Sequence, residues 1–244
     1  MSARNFSAAG ADTSLRYAGD RPQDIRTAKP WHRYAHHIRT LPARLEALVP
    51  ELELPAGGRV LDYGCAELPY RSFFADDTKY VAADLPGNPH ATLELNADGT
   101  VPVESNMFDA VLSTQVLEHV TDPALYLDEC FRVLRPGGRL LLSTHGTFVY
   151  HPDPDDYWRW TCAGLQRIAR EAGFDVVRFE GIIGLLPTGL QLVQDAIYWQ
   201  LPKLLRAPFA LVMQTLIGLG DRLHSAGSRE LNSQVFALIA EKPR

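Results

Sequence analysis

The acidic residues of this chain fall where a cationic ligand would need them. In Val60-Leu61-Asp62-Tyr63-Gly64-Cys65-Ala66-Glu67-Leu68-Pro69-Tyr70, two carboxylates flank a single glycine turn. A second apolar run, Val81-Ala82-Ala83, ends in Asp84. A dinucleotide fingerprint would place a pyrophosphate on such a turn, over three glycines. Here Glu67 would repel the phosphates, and Gly64 is alone. A ligand carrying an ammonium and a sulfonium is attracted by the same acids. Asp84, about twenty residues beyond the first acid, is placed to accept both hydroxyls of a ribose, although a solvated loop acid is the plainer reading.

Three histidines are candidates for proton transfer. His119 stands in Leu117-Glu118-His119-Val120, and His145 ends the apolar run before it turns to Gly146. His151 opens His151-Pro152-Asp153-Pro154-Asp155-Asp156-Tyr157-Trp158-Arg159-Trp160, where acids, aromatics and an arginine crowd together. An imidazole that titrates near neutrality suits a general base. Each also has a structural alternative: ordering its loop, or joining the packing of a rigid proline segment. Asp153, Asp155 and Asp156 with His151 offer oxygen ligands to Mg²⁺. A lone acidic cluster is usually solvated, so no metal is expected. His36 and His37 read as surface or satisfied histidines of an N-terminal helix.

These residues must be carried by strands and helices in alternation. RVLDYG, TKYVAADL, FDAVLST and GRLLLST are apolar enough to be strands buried on both faces, the texture of a parallel sheet covered by helices. A short helix is expected over 70–74. Asp122-Pro123 caps and starts a helix that runs through Val133, and Arg135-Pro136-Gly137-Gly138 stops it. Thr161 caps another, ending at Gly173, before the strand FDVVRFEG. Tyr34, Ile38, Leu41, Leu45 and Leu48 recur at helical steps within 31–54. Two apolar helical segments, 185–201 and 208–224, precede a last strand, SQVFALIAEK. Open sheets of this kind bind ligands at the carboxyl ends of their strands, where the strand order reverses.

VLDYGCAELPY, VAADL, NADGTVPVESNMFDAVLSTQVLEHV and FRVLRPGGRLLLST, in that order, resemble the class I S-adenosylmethionine-dependent methyltransferases. The resemblance runs from about Arg59 to Gly173, with the final strand as a continuation. It implies a doubly wound, Rossmann-like seven-stranded α/β sheet whose last strand is antiparallel. Carried over by position, it also implies that Asp62, Gly64, Cys65 and Ala66 line the methionine end of S-adenosyl-L-methionine. Asp84 and Leu85 would meet the ribose side, Asp98 the adenine amino group, and Thr114 and Gln115 the sulfonium. In some members, sugar O-methyltransferases among them, a histidine placed like His119 looks like the base. The chain departs from the commonest pattern in having Ala66 and Leu68 where glycines stand, and the step from Asp98 to Val101-Pro102-Val103 is one residue shorter.

Composition narrows the partners. The 24 basic against 29 acidic side chains leave a net charge of −5, which disfavours a binder of nucleic-acid backbones. Arg26, Lys29, Arg33, Arg39 and Arg44 make a mildly basic stretch, read as a solvated helix face. Three widely spaced cysteines imply neither disulfides nor a zinc motif and fit a reducing compartment. Residues 1–30 read as a flexible segment without a secretory signal, ahead of one domain over 31–244 with a helical insertion at about 185–224. Prolines and charges interrupt that insertion before it reaches the ~18 residues of a membrane span. The expectation is a cytoplasmic O-methyltransferase acting on a small molecule: a sugar, a glycolipid or another lipid-linked acceptor, or a secondary metabolite. The insertion would serve as a greasy wall for the acceptor or as a homodimer face. The alternatives are N- or C-methylation, a nicotinamide-dependent oxidoreductase of the same architecture, and a cofactor-binding protein without turnover.

Overall fold

The computed structural model describes residues 28–152 and 155–244. The flexible segment expected at 1–30 therefore lies almost wholly outside the described residues, as do Arg26 and Asp153.

Seven strands form one sheet: β1 (Arg59–Tyr63), β2 (Lys79–Asp84), β3 (Leu93–Glu94), β4 (Phe108–Thr114), β5 (Leu134–His145), β6 (Asp175–Gly184) and β7 (Ser233–Glu241). Their order is β3-β2-β1-β4-β5-β7-β6. β1 pairs in parallel with both β2 and β4, whereas β7 runs antiparallel between β5 and β6. This is the doubly wound, Rossmann-like arrangement with a reversed last strand, and the strand order turns at β1.

Alternate residues of the central strands feed two cores. Leu61, Val111, Leu140, Leu142, Phe236 and Leu238 face one side, packing with helices α2 (Pro123–Val133) and α3 (Cys162–Glu171). Val60, Ala110, Leu112, Leu141, Ala237 and Ile239 face the other, where α1 (Ala35–Leu48) adds Leu41, Leu45 and Leu48. Side chains alternate across a strand, so burial on both faces requires continuous apolar runs, which β4 and β7 display.

Several elements differ in extent from the reading of the sequence. α1 gives way to a 3₁₀ turn at Val49–Leu52, and the helix over 70–74 is one 3₁₀ turn at Arg71–Phe73. β5 begins at Leu134, so Arg135-Pro136-Gly137-Gly138 lies within the strand, where its register with β4 shifts across Phe108 and Ala110. Between β6 and β7 the chain forms α4 (Leu185–Tyr198), α5 (Lys203–Asp221) and a short α6 (Ala226–Leu231). Pro208 does not open its helix as expected; α5 starts at Lys203 and carries Pro208 inside its second turn.

α4 and α5 are fastened to the start of α1 by buried amides. Gln191, Gln194 and Gln214 all donate to the carbonyl oxygen of Arg33, at 3.1, 2.6 and 2.7 Å. Arg33 itself is buried, its guanidinium over the rings of Tyr34 and Trp199, and Arg44 pairs with Glu180 at 2.7 Å. The basic stretch is thus not a uniformly solvated face. Among the described residues no helix is long and apolar enough to cross a membrane.

Candidate active site

The turn after β1 is tied to the neighbouring strand. The N–H groups of Gly64 and Cys65 both donate to the carbonyl of Ala83 in β2. Gly64 has φ +87°, and a Cβ there would sit 2.5 Å from a methyl of Val116, so both backbone and space require glycine. Ala66 (φ +45°) and Leu68 (φ +58°) stand where the family pattern has glycines and keep the left-handed conformation that glycine adopts without strain. Both residues thus hold backbone conformations that glycine would adopt at lower cost.

Two carboxylates of this turn have distinct environments. Asp62 is buried and accepts a 2.5 Å hydrogen bond from the Tyr80 hydroxyl. Burial raises its pKa to about 7 against the pull of that hydrogen bond, with Asp84 adding to the rise. Asp84 is oriented from three sides: Oδ2 accepts from the N–H of Ala66 (2.9 Å) and from Asn88 Nδ2 (2.6 Å), while Oδ1 accepts from the N–H of Leu85 (2.8 Å). Asn88 also donates to the carbonyl of Ala66, so one amide joins the turn to the acid. Sequence reading passed over Asn88; its position four residues beyond Asp84, in a loop, was the available signal. Leu85 leaves an apolar side chain 52% exposed beside the acid.

Asp98 is fully exposed on the loop after β3, where its Oδ1 accepts from the N–H and hydroxyl of Thr100. These bonds hold its pKa below the usual carboxylate range. Arg132 of α2 pins that loop through the carbonyls of Val101 and Val103. At the end of β4, Thr114 is buried and Gln115 takes φ +56°. The Gln115 amide donates to Ser143 Oγ at 3.1 Å, while its Oε1 is buried without a partner. A non-glycine residue in that conformation with an unsatisfied oxygen is a place where a ligand group is expected.

On the β4–β5 side, four histidines meet. His145, at the end of β5, stacks on Phe148 with ring centroids 4.1 Å apart. His151 stands edge-on to it at 4.6 Å, and His119 lies 5.0 Å from His151. His37 of α1 reaches the same cluster, 5.6 Å from Phe148, and shares a 3.1 Å contact with Gln234. Burial and the nearby His145 push His37 down to about 4 and His151 down to about 3. Glu118 is fully buried. Burial alone would raise its pKa, but His145 and His119 more than offset that and hold it below the usual value. Its Oε2 accepts from Thr144 at 2.8 Å, and Oε1 lies 2.8 Å from His145 Nδ1.

Glu118 is therefore the partner of His145, not of its sequence neighbour. The His119 ring is held instead by the backbone carbonyl of Asp155. The loop after β5 is drawn over this spot by the N–H groups of Tyr157 and Trp158, which donate to the Glu118 carbonyl. Arg159 braces it against Asp156 and the carbonyls of Phe148 and Val149. His37 is a satisfied histidine through Gln234, as His36 is through Asp221, but helix periodicity alone could not bring His37 to β5.

Fold and site together define a doubly wound α/β protein with an acidic turn at the carboxyl end of its first strand. The profile of the family described as "Methyltransferase domain" matches residues 31–178, and the chain belongs to that family. It is 31% identical over 137 residues to a Probable S-adenosylmethionine-dependent methyltransferase of Mycolicibacterium smegmatis, covering 50% of this chain and 53% of that protein. It is 30% identical over 171 residues to a Ubiquinone biosynthesis O-methyltransferase of Xanthomonas axonopodis pv. citri, covering 64% and 63%. The matched stretches thus span between half and two thirds of these curated relatives. Among solved structures, phosphoethanolamine N-methyltransferase 2 of Haemonchus contortus in complex with S-adenosyl-L-methionine superposes with a TM-score of 0.53 at 19% identity, over 83% of this chain and 53% of that one. The cyclase SpnF does so at 0.53 and 20% identity, over 91% and 84%. Such likeness concerns the fold alone. The cofactor of the domain is S-adenosyl-L-methionine, and the residues present fit it: an acidic turn for a cation, a glycine with no room for a side chain, and an unpaired Gln115 oxygen.

Proposed function

We propose that the protein methylates an oxygen atom of a small molecule, with His119 as the general base. Bound S-adenosyl-L-methionine supplies an electrophilic methyl group on a sulfonium. Asp62, Gly64, Cys65 and Ala66 receive its methionine end, Asp84 and Leu85 the ribose side, Asp98 the adenine, and Thr114 and Gln115 border the sulfonium. Asp62 and Glu67 favour the cationic groups by charge. His119 Nε2 takes the proton of the acceptor hydroxyl as the oxygen forms its bond to carbon, so the acceptor exchanges a proton for a methyl. Alignment of the two partners supplies much of the rate.

The observation that carries this reading is the His119 ring, half-buried and fixed through Nδ1 on the Asp155 carbonyl. That bond selects the tautomer with a proton on Nδ1 and leaves Nε2 as acceptor. His145 and His151 sit behind it, and their part is to position the ring and the covering loop. A hydroxyl acceptor needs such a base, whereas an amine can react through its neutral lone pair. The exposed Leu185, Leu186, Leu219 and Leu223 of the α4–α5 region support an apolar or lipid-linked acceptor.

A screen of hydroxylated acceptors with isotope-labelled S-adenosyl-L-methionine, read by product mass, tests the reading. Label on an oxygen of a sugar, glycolipid or secondary metabolite supports it. Label only on nitrogen or carbon overturns it, as does calorimetry in which NADH binds and S-adenosyl-L-methionine does not.

A further inference from the structure

We propose that Glu118, His145 and His151 form a site for one divalent transition-metal ion of the zinc class. One carboxylate oxygen and one nitrogen from each imidazole lie within 4.8 Å of one another, at the carboxyl ends of β4 and β5 and in the loop that follows. Glu118 and His145 are almost wholly buried. Glu118 Oε1 and His145 Nδ1 stand 2.8 Å apart as a buried ion pair without a well-formed hydrogen bond to any group. Buried polar atoms in native proteins are usually fully hydrogen-bonded, so a pair held by contact alone has capacity left for a common partner. Two donors on one tetrahedral zinc ion, with bonds of about 2.0–2.2 Å, sit roughly 3.4 Å apart, so the pair would open by about half an ångström to admit the ion.

The donor set chooses the metal. Two imidazoles and a carboxylate suit zinc, iron(II), cobalt or nickel; magnesium and calcium want oxygen. The surroundings also match. Thr144 holds the second oxygen of Glu118, and Asp156 Oδ2 stands 3.4 Å from His151 Nδ1. Metal-bound histidines commonly give their other N–H to an outer carboxylate of this kind. Three protein ligands leave a position open, as in catalytic zinc sites, and His119 adjoins His151. No metal is expected from the sequence, where these residues show no ligand spacing; the cluster it offers to Mg²⁺, Asp153, Asp155 and Asp156 with His151, shares only His151 with this site. An ion here would bind the acceptor oxygen and ease loss of its proton to His119. That use rests on the proposed methyl transfer; the existence of the site does not.

The test uses the full chain without an affinity tag, stripped with EDTA and titrated with Zn²⁺ by calorimetry and with Co²⁺ by visible absorption. One equivalent of Zn²⁺ per chain at micromolar affinity or tighter is expected. Glu118→Gln and His151→Ala should each weaken it at least tenfold, while His90→Ala, on the surface, should leave it unchanged. Co²⁺ bands in the native chain give a reading that does not depend on the variants folding. A chain that stays folded by circular dichroism and binds no stoichiometric Zn²⁺ overturns the proposal; an ordinary His145–Glu118 ion pair then accounts for the contact. Stoichiometric Zn²⁺ held equally well by the Glu118→Gln, His151→Ala double variant also overturns it. Zn²⁺ binding without S-adenosyl-L-methionine binding would sustain the metal site and defeat the methyl-transfer reading instead.

Discussion

At the ends of β1 and β2, the polar groups are joined over short distances: Asp62 to Tyr80 on the adjacent strand, and Asp84 to Ala66 and Asn88 through loop backbone and one amide. At the ends of β4 and β5, the corresponding groups come from far apart in the chain. Glu118, His145, His151 and His37 meet there only because β5 lies beside β4 and α1 folds across the sheet. The first region is a cradle whose shape the backbone dictates. The second is a constellation of side chains, free to vary in type while the sheet stays the same. This division suits a fold that hosts different functions through the side chains grafted onto it.

The comparison makes each half responsible for a different observable, and the largest effect is expected on the acceptor side. His119→Ala should lower turnover by about 10²–10⁴-fold while S-adenosyl-L-methionine affinity stays nearly unchanged. Steady-state rates on an acceptor found by screening, beside calorimetry, give the answer. A loss of cofactor affinity in this variant would erase the division between the two halves.

The cradle should fail through its backbone first. Gly64→Ala forces a left-handed alanine against Val116 and should destabilise the protein by about 2–4 kcal/mol, combining the conformational cost with overpacking. Urea denaturation measures it, and a cost under about 0.5 kcal/mol would show that the turn is soft.

Asp84→Ala should weaken cofactor binding by about 1–3 kcal/mol, the value of charge-assisted hydrogen bonds to a ribose. Asn88→Ala should cost less, since Ala66 and Leu85 still hold the acid. Equal losses in calorimetry would instead make Asn88 a contact in its own right.

The gentlest handle is pH. Burial pushes the Asp62 carboxyl up to about 7 by disfavouring its charge. A cationic ligand needs the ionised form, so binding releases a proton below that value. Affinity should be level above pH 7 and fall by about tenfold per unit as pH drops below it. An affinity that is flat from pH 5.5 to 7.5 in calorimetry would detach Asp62 from the ammonium.

How far the site could be read in advance follows the same division. β1, β2, β4 and α2, with its Asp122 cap and Pro123, were legible because apolar runs and capping residues act locally. The positions of Asp62, Gly64 and Asp84 were legible with them, since a residue at a strand end is placed by its own strand. Other features needed contacts between distant segments. Among these are the two-residue β3, the start of α5 ahead of Pro208, and the burial of Arg33 under three glutamines. The choice between His119 and His145 as the partner of Glu118 is the sharpest case. Glu118 and His119 lie in the turn after β4, where their side chains diverge, and the buried carboxylate pairs with what the neighbouring strand brings to it. Local chemistry wrote the cradle into the chain; the pairing of β4 with β5, and the loop that closes over both, assembled the histidines.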